Sequence, residues 1–189
     1  SSVVLVLCGG CAAPLGFADE AKAVMFCPSQ TSVAAVVDLL TKTSPRGHLP
    51  FTWCRSSGAY PRNNPKYVAR GDFRYESVYN GYLLFNNFKS DVAYPFGHGL
   101  DYTRYEISKY NVKADGTKII ADFVIKNVGE REGTALCQAY ITLIGGAVYG
   151  QSKRLAAFKR VTLEKTENAH IVLEIDLEDF AVYDEKNTA

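Results

Sequence analysis

The sequence has little net charge and no long hydrophobic run. Its 21 Lys and Arg residues nearly balance 20 Asp and Glu residues, which leaves a formal net charge of +1 over 189 residues. The basic residues are scattered, so no basic face suited to nucleic acid or an anionic membrane is present. The apolar run at 3–8 is far shorter than the ~20 residues that a helical membrane crossing needs. We therefore expect neither nucleic acid nor a membrane as a partner.

Common markers of an extracellular protein are also missing. No Asn-x-Ser/Thr sequon occurs, and residues 1–7 lack the basic segment that precedes the apolar run of a signal peptide. The cysteines are odd in number and unevenly spaced, unlike a disulfide scaffold. They are Cys8, Cys11, Cys27, Cys54 and Cys137. These features leave the localisation open.

Cys8 and Cys11 form the motif CGGC at the end of a predicted strand. The spacing suits a redox dithiol or one half of a zinc site. A zinc site needs a second ligand pair, and neither another CxxC nor a downstream HxxxH occurs. We favour the interpretation that both residues are small and buried, and we predict no metal and no cofactor.

Motifs that carry chemistry are lacking as well. There is no nucleophile elbow, P-loop, dinucleotide fingerprint or HExxH helix. His48 and His98 lie in glycine-containing turns, where a catalytic role and a role in the turn both stay open, and His170 is expected on the solvated side of a strand. Paired carboxylates do general acid and base chemistry, yet no pair stands out among Asp19, Glu20, Asp38, Asp72 and Glu76. We predict no catalytic residue in this chain.

Two features of the middle of the chain suggest binding. The tripeptide RGD at 70–72 occurs in adhesion proteins, although chance alone produces such triplets. A group of aromatic residues there could stack on sugars or pack on another domain; it comprises Tyr60, Tyr67, Phe73, Tyr75, Tyr79 and Tyr82.

The first half of the chain has an α/β pattern. Residues 3–7 and 22–27 are short apolar runs typical of strands covered on both faces in a parallel sheet. Helical spacing of apolar residues follows at 33–40, with Ser29 or Thr31 as the cap, and Pro45 and Gly47 end that helix. We predict a long loop at 55–93, which needs a partner surface.

The second half alternates apolar and polar residues in successive segments. Ile119, Ala121, Phe123 and Ile125 share one face of a predicted strand at 118–127. Further strands are predicted at 134–143, 153–163 and 170–177, with a turn at 127–133. The expected fold class is a partial α/β region with a mostly parallel sheet, residues 1–103, followed by an all-β sandwich, residues 104–189.

The order of seven segments along the chain is informative. They are CPSQ at 27–30, VDLL at 37–40, SPRGHLPFTW at 44–53, ESVYNGYLLFNN at 76–87, YPFGHGLDYTRYEIS at 94–108, IKNVGEREGTALCQAYI at 125–141 and KRLAAFKRVTL at 153–163. In this order they resemble the C-terminal part of glycoside hydrolase family 3, the β-glucosidase family. The segment at 94–108 is the most specific match, and the series covers essentially the whole chain.

The resemblance implies an organisation and a function. Residues 1–103 would be the end of the family's α/β sandwich domain, and 104–189 an immunoglobulin/fibronectin type III-like sandwich without its last strand or two. The family's nucleophilic Asp lies on an N-terminal barrel and its acid/base Glu upstream of residue 3, so this chain alone would be inactive. The implied partner is that barrel portion or another chain supplying it, with carbohydrate as a possible ligand. A secreted or extracytoplasmic location is also implied.

The sequence departs from the family pattern at several positions. Five residues replace those that the family prefers at the matching positions: Ser29, Thr31, Ser32, Leu83 and Asn86.

We expect residues 94–103, including His98, to form a rigid joint between the two regions rather than a catalytic loop.

Overall fold

The computed structural model describes residues 3–9, 13–28, 33–42, 45–60, 81–88, 91–144 and 153–181. The chain divides into two compact units. Unit 1 contains residues 1–43 and 48–99, and unit 2 contains residues 44–47 and 100–189. Most of the regular structure in the described ranges is strand, and helices are few.

Unit 1 begins with two parallel strands, β1 (Val4–Gly9) and β2 (Ala23–Pro28). One face of this pair packs on a buried cluster formed by Leu15, Ala18 and Trp53. On β1, Val4 and Val6 remain 44% and 38% exposed. The predicted parallel pairing is confirmed, and in the described residues the face of β1 that carries Val4 and Val6 is open.

Helix α1 (Val33–Thr41) lies where helical spacing predicts it. Its predicted apolar stripe is not buried, however: Val33, Val37 and Leu40 are 79%, 48% and 42% exposed. These residues are spaced at i, i+4 and i+7, so they form one open apolar ridge. The candidate caps Ser29 and Thr31 lie outside the described residues.

The described residues of the segment at 55–93, which are 55–60, 81–88 and 91–93, are more regular than the predicted loop. They contain a 3-10 turn at Ser57–Ala59, helix α2 (Tyr82–Phe88) and most of β4 (Val92–Tyr94). Strand β4 pairs with β3 (Trp53–Cys54). Burial of Leu84 and Phe85 holds α2 in place, because a helix this short depends on tertiary packing.

In its described residues, unit 2 contains five antiparallel strands in two sheets. The first sheet has the order β5-β6-β9, and the second pairs β7 with β8. The strands are β5 (Tyr105–Asp115), β6 (Lys118–Asn127), β7 (Gly133–Ile141), β8 (Arg154–Leu163) and β9 (Asn168–Asp176). The predicted strands correspond to β6, β7, β8 and β9.

Both sheets of unit 2 contribute to one core. Buried residues from β6 to β9 form it: Ile125, Ala135, Cys137, Leu163, Ile171 and Leu173. Partly buried Ala121 and Phe123 pack on this cluster, which confirms the predicted inner face of β6. Edge strand β5 is mostly exposed and bulges after Ser108, where Lys109 has a positive φ of 51°.

Candidate functional site

The glycine-rich segment at 94–103 is the strongest site candidate, and its first part is a tight turn within unit 1. His98 N–H donates to the Pro95 carbonyl at 3.1 Å, and Gly97 has a φ of 80°, which favours glycine. Two backbone hydrogen bonds of 2.8 Å hold the turn against Leu49. Gly97 N–H donates to the Leu49 carbonyl, and Leu49 N–H donates to the His98 carbonyl.

Aromatic rings stabilise the same turn. The His98 ring stacks on Tyr94 at a centroid distance of 5.1 Å. Phe96 stacks on Tyr82 at 4.2 Å, and its N–H donates to the Thr52 hydroxyl at 3.3 Å. Since both rings and backbone are engaged inside unit 1, this part of the segment shows the geometry of a structural turn.

The second part of the segment lies in unit 2 and centres on Asp101. Its Oδ2 accepts hydrogen bonds from the Tyr105 hydroxyl and, at 3.2 Å, from Thr134 N–H. Burial, followed by the hydrogen bond to Asp101, raises the pKa of Tyr105 well above its usual range. A carboxylate used in this way fixes the start of β5 against β7.

Asn127, at the end of β6, completes the cluster. It is fully buried, and its Oδ1 accepts from the Thr103 hydroxyl at 2.6 Å and from Gly129 N–H at 3.0 Å. Its Nδ2 donates to the carbonyls of Arg131 and Leu163 at 2.7 and 3.0 Å. All four hydrogen-bonding positions of this amide are therefore filled, as burial of a polar group requires.

Two glycines leave room for these side chains. A Cβ at Gly129 would lie 2.1 Å from the Thr103 hydroxyl, and a Cβ at Gly133 would lie 2.2 Å from the Tyr105 hydroxyl. No real Cβ atom tolerates such distances, so the glycines of the segment at 127–133 are needed for space. A shallow concavity lined by Asp101, Thr103, Arg104 and Gly129 lies beside the cluster.

The other two histidines lie apart from any such cluster. His48 lies in the short segment before β3 and is partly buried. His170 lies on β9 with a side chain 59% exposed, and its Nε2 lies 3.5 Å from Asp122 Oδ1. The predicted solvated position of His170 is thus confirmed. In the ranges described, no group of three or more His, Cys, Asp or Glu side chains could hold a metal ion.

Two of the carboxylates considered from the sequence, Asp19 and Asp38, have local partners. Asp19 pairs with Arg55, and this hydrogen bond lowers the pKa of Asp19. The Arg55 Nε also lies 3.9 Å from Asp91. Asp38 pairs with Lys42 at 3.0 Å across one helical turn. Such exposed pairs contribute little stability.

The cysteines divide into exposed and buried ones. Cys8 is exposed, which contradicts the expectation of a buried pair with Cys11, itself outside the described residues. Cys8 lies near the end of β1, where it continues the exposed positions of that strand. Cys27, Cys54 and Cys137 are buried. Burial raises the pKa of Cys54 to about 11, with the Asp91 charge adding to it.

Several predicted binding residues cannot be compared with the structure. The RGD segment at 70–72, Glu76, and the aromatic residues Tyr67, Phe73, Tyr75 and Tyr79 lie outside the described residues. Tyr60 and Tyr82 are described, and both pack within unit 1: Tyr60 contacts Phe85, and its hydroxyl accepts from Cys54 N–H at 3.0 Å.

Sequence reasoning missed three residues that make several side-chain contacts each. Asn127 and Asp101 look like ordinary polar turn residues, and Arg55 was not singled out. The available signal was the pattern Asn-x-Gly directly after a buried strand, which indicates a side chain bonding back to its own turn.

Two family models match the chain. The glycosyl hydrolase family 3 C-terminal domain matches residues 1–102, and the fibronectin type III-like domain matches residues 135–189. Together they define the class of this chain, a glycosyl hydrolase family 3 C-terminal domain followed by a fibronectin type III-like domain. The chain belongs to glycoside hydrolase family 3, as the series of motifs predicted.

Relatives and solved structures agree with these matches. A beta-glucosidase from Ruminococcus albus is 31% identical over 98% of this chain, which spans 20% of that protein. Thermostable beta-glucosidase B from Acetivibrio thermocellus is 28% identical over 97% of this chain, which spans 25% of that protein. The structure of beta-glucosidase 3B from Thermotoga neapolitana in complex with glucose is 30% identical, with a TM-score of 0.83 over 96% of this chain and 27% of that one.

Proposed function

We propose that this chain is the C-terminal structural portion of an enzyme that hydrolyses terminal β-linked sugars. The observation that carries the proposal is the end-to-end match: one relative aligns with 98% of this chain, yet the chain spans only 20% of that relative. The matched relatives are beta-glucosidases.

In this proposal, residues 1–103 are the end of an α/β sandwich domain and residues 104–189 form a fibronectin type III-like sandwich. The parallel pair β1 and β2 with α1 supports the first assignment. The two antiparallel sheets around one core support the second.

The nucleophile and the acid/base of the reaction are supplied by residues outside this sequence. Glycoside hydrolysis uses two carboxyl groups that face each other across the scissile bond. The carboxylate of Asp101 accepts hydrogen bonds from Tyr105 and Thr134 instead of facing a second carboxylate. In this proposal the chain therefore has a structural role in the enzyme and does not itself cleave the glycosidic bond.

The partner in this scheme is the N-terminal portion of the same enzyme, or a chain that supplies it. Parallel sheets are normally covered on both faces, whereas β1 exposes Val4 and Val6, and α1 exposes Val33, Val37 and Leu40. These five residues offer apolar surface for such a partner.

The first test is activity. The 189-residue chain is assayed on a nitrophenyl β-glucoside, and we expect no hydrolysis above the buffer blank. The positive control is a hybrid of the Ruminococcus albus enzyme in which this chain replaces the corresponding segment; we expect that hybrid to hydrolyse the substrate. Turnover by the isolated chain would overturn the proposal.

The second test needs no variant. The intact mass of the protein purified from its source should be about four to five times that of this chain, as the 20–25% shares of the relatives imply. A native protein of the mass of this chain would contradict the proposed role.

A second candidate function is a noncatalytic module that binds carbohydrate or a protein. Its support is the exposure of two aromatic rings in unit 2, Tyr110 at 81% and Phe158 at 65%. Exposed aromatic faces stack on sugar rings and are also frequent at interfaces. Retention of the chain on insoluble glucan, abolished by Phe158→Ala or Tyr110→Ala, would favour this function.

A further inference from the structure

Two cysteines lie opposite each other on the parallel strands of unit 1. Cys8 on β1 and Cys27 on β2 are register partners. Directly opposed residues of neighbouring strands project to the same face of a sheet. Both thiols are free, Cys8 is exposed, and Cys27 is 2% exposed.

The spacing of the strands suits a covalent link. Neighbouring strands lie about 4.8 Å apart, and a disulfide joins residues whose Cα atoms are about 4.4–6.8 Å apart. The two thiols also interact electrostatically: burial first, and then the charge of Cys8, raises the pKa of the Cys27 thiol.

We propose that Cys8 and Cys27 are a redox-sensitive pair that closes into a disulfide between β1 and β2 when the protein meets a peroxide. Cys8 is the residue that the oxidant reaches, because it is exposed in this chain; the reaction applies to the chain whose β1 face is not covered by the N-terminal portion proposed above. Cys27 is the resolving residue, because it lies beside Cys8 and is shielded from solvent.

The chemistry proceeds in two balanced steps. The Cys8 thiolate attacks one peroxide oxygen, the O–O bond breaks, and Cys8 becomes a sulfenic acid while the other oxygen leaves as water or an alcohol. The Cys27 sulfur then attacks the Cys8 sulfur, the S–O bond breaks, and water leaves. One peroxide is reduced by two electrons, and the two thiols are oxidised to one disulfide.

The remaining described cysteines are poor competitors. Cys54 is 0% exposed and Cys137 is 6% exposed, and both have a raised pKa. Cys11 is the competitor that matters, since the motif CGGC allows a Cys8–Cys11 disulfide. The experiment therefore has to separate these two pairings.

Trypsin separates them cleanly. Cleavage after Lys22 and Lys42 places Cys8 and Cys11 in peptide 1–22 and Cys27 in peptide 23–42. The full chain is treated with hydrogen peroxide in native buffer, its remaining thiols are alkylated, and the digest is analysed by mass spectrometry. We expect the two peptides to be joined, and a dithiol reductant to separate them.

Variants identify the residues that form the link. We expect the joined peptides to disappear in Cys8→Ser and Cys27→Ser and to persist in Cys11→Ser, with Cys54→Ser as the matched control. Loss of the link in Cys11→Ser, or a disulfide confined to peptide 1–22, would overturn the proposal.

The same oxidation in urea tests whether the fold selects the pair. We expect about fivefold more joined peptide in buffer than in urea, because many cysteine pairings compete in an unfolded chain. Equal yields in the two conditions would show that the strand register does not direct the disulfide. Oxidation of Cys8 beyond a sulfenic acid, with no disulfide formed, would equally refute the proposal.

Discussion

The hydroxyl of Thr103 donates to the side-chain oxygen of Asn127 across 2.6 Å. This bond joins two of the segments on which the family resemblance rests, residues 94–108 and 125–141. Asn127 in turn holds the turn that follows it through Gly129 N–H and the Arg131 carbonyl. Hydrogen bonds therefore join two motifs that are distant in sequence, and they hold the beginning of unit 2 against the turn that follows β6.

Replacing Asn127 tests this role. Asn127→Ala leaves the Leu163 and Arg131 carbonyls and Gly129 N–H without their partner, so we expect unit 2 to lose about 3 kcal/mol or more of its free energy of unfolding. Hydrogen exchange of peptides from β6 and β9 measures the change. Asn168→Ala, at an exposed position of β9, is the control and should change it by less than about 0.5 kcal/mol. Equal effects of the two variants would refute the role of Asn127.

A substitution at Gly133 tests whether the space between this glycine and the side chains of Tyr105 and Thr103 is needed. A Cβ there would lie 2.2 Å from the Tyr105 hydroxyl and 2.4 Å from the Thr103 methyl. We expect Gly133→Ala to destabilise unit 2 by about 1–3 kcal/mol, the usual range for overpacking. Gly58→Ala is the matched control, because nothing lies within 4 Å of a Cβ at that position. Tyr105→Phe should recover part of the loss, since it removes the nearest of the clashing atoms.

Tryptophan fluorescence reports on the unfolding of the core of unit 1. Trp53 is the single tryptophan of the chain, and it is buried beside Leu15. Leu15→Ala should cost about 2–5 kcal/mol, measured as the shift of the fluorescence transition in urea. Val33→Ala, at a residue 79% exposed on α1, should leave that transition unchanged. A shift no larger than that of the control would show that Leu15 is not part of a packed core.

The raised pKa of Tyr105 makes stability depend on alkaline pH. The folded state keeps the phenol proton above the ordinary pKa of 10, whereas the unfolded state loses it there. The contribution of this group is therefore complete below pH 10 and is lost as the pH rises from there through the folded-state pKa. We expect Tyr105→Phe to make the decline of unit 2 stability above pH 10 shallower, as measured by hydrogen exchange corrected for intrinsic rates.

The control for the pH dependence is Tyr110, which is 81% exposed on β5. Tyr110→Phe should leave the slope of stability against pH as it is in the unmodified chain. If both variants changed the slope equally, the burial of Tyr105 beside Asp101 would not be its cause.

The strands that bury one face could be predicted from the sequence. In β6 and β9 the alternation of apolar and polar residues is regular, because the inner face packs on the core and the outer face meets water. Strand β5 was missed, since most of its residues are exposed and a bulge interrupts its period. Helix α2 was missed for a different reason: its seven residues are held by the burial of Leu84 and Phe85 rather than by helix propensity.

The cluster around Asn127 could be predicted only in part. The family resemblance identified its segments, but the chemistry of a buried amide cannot be read from an Asn in a turn. Burial depends on residues such as Leu163, 36 positions away, whose carbonyl accepts one of its hydrogen bonds. The open ridge on α1 was also unpredictable, because periodicity reports an apolar face and not what covers it.

Residues 44–47 belong to unit 2, although the chain on either side of them belongs to unit 1. In this short segment Arg46 Nη2 lies 3.3 Å from Glu132 Oε1. The polypeptide consequently passes between the units at three places, after residues 43, 47 and 99. A recombination event or a protease that cuts once near residue 100 would not yield two whole modules, and one of the two fragments would carry away four residues of the other. Any design that separates the two units therefore has to treat residues 44–47 together with residues 100–189.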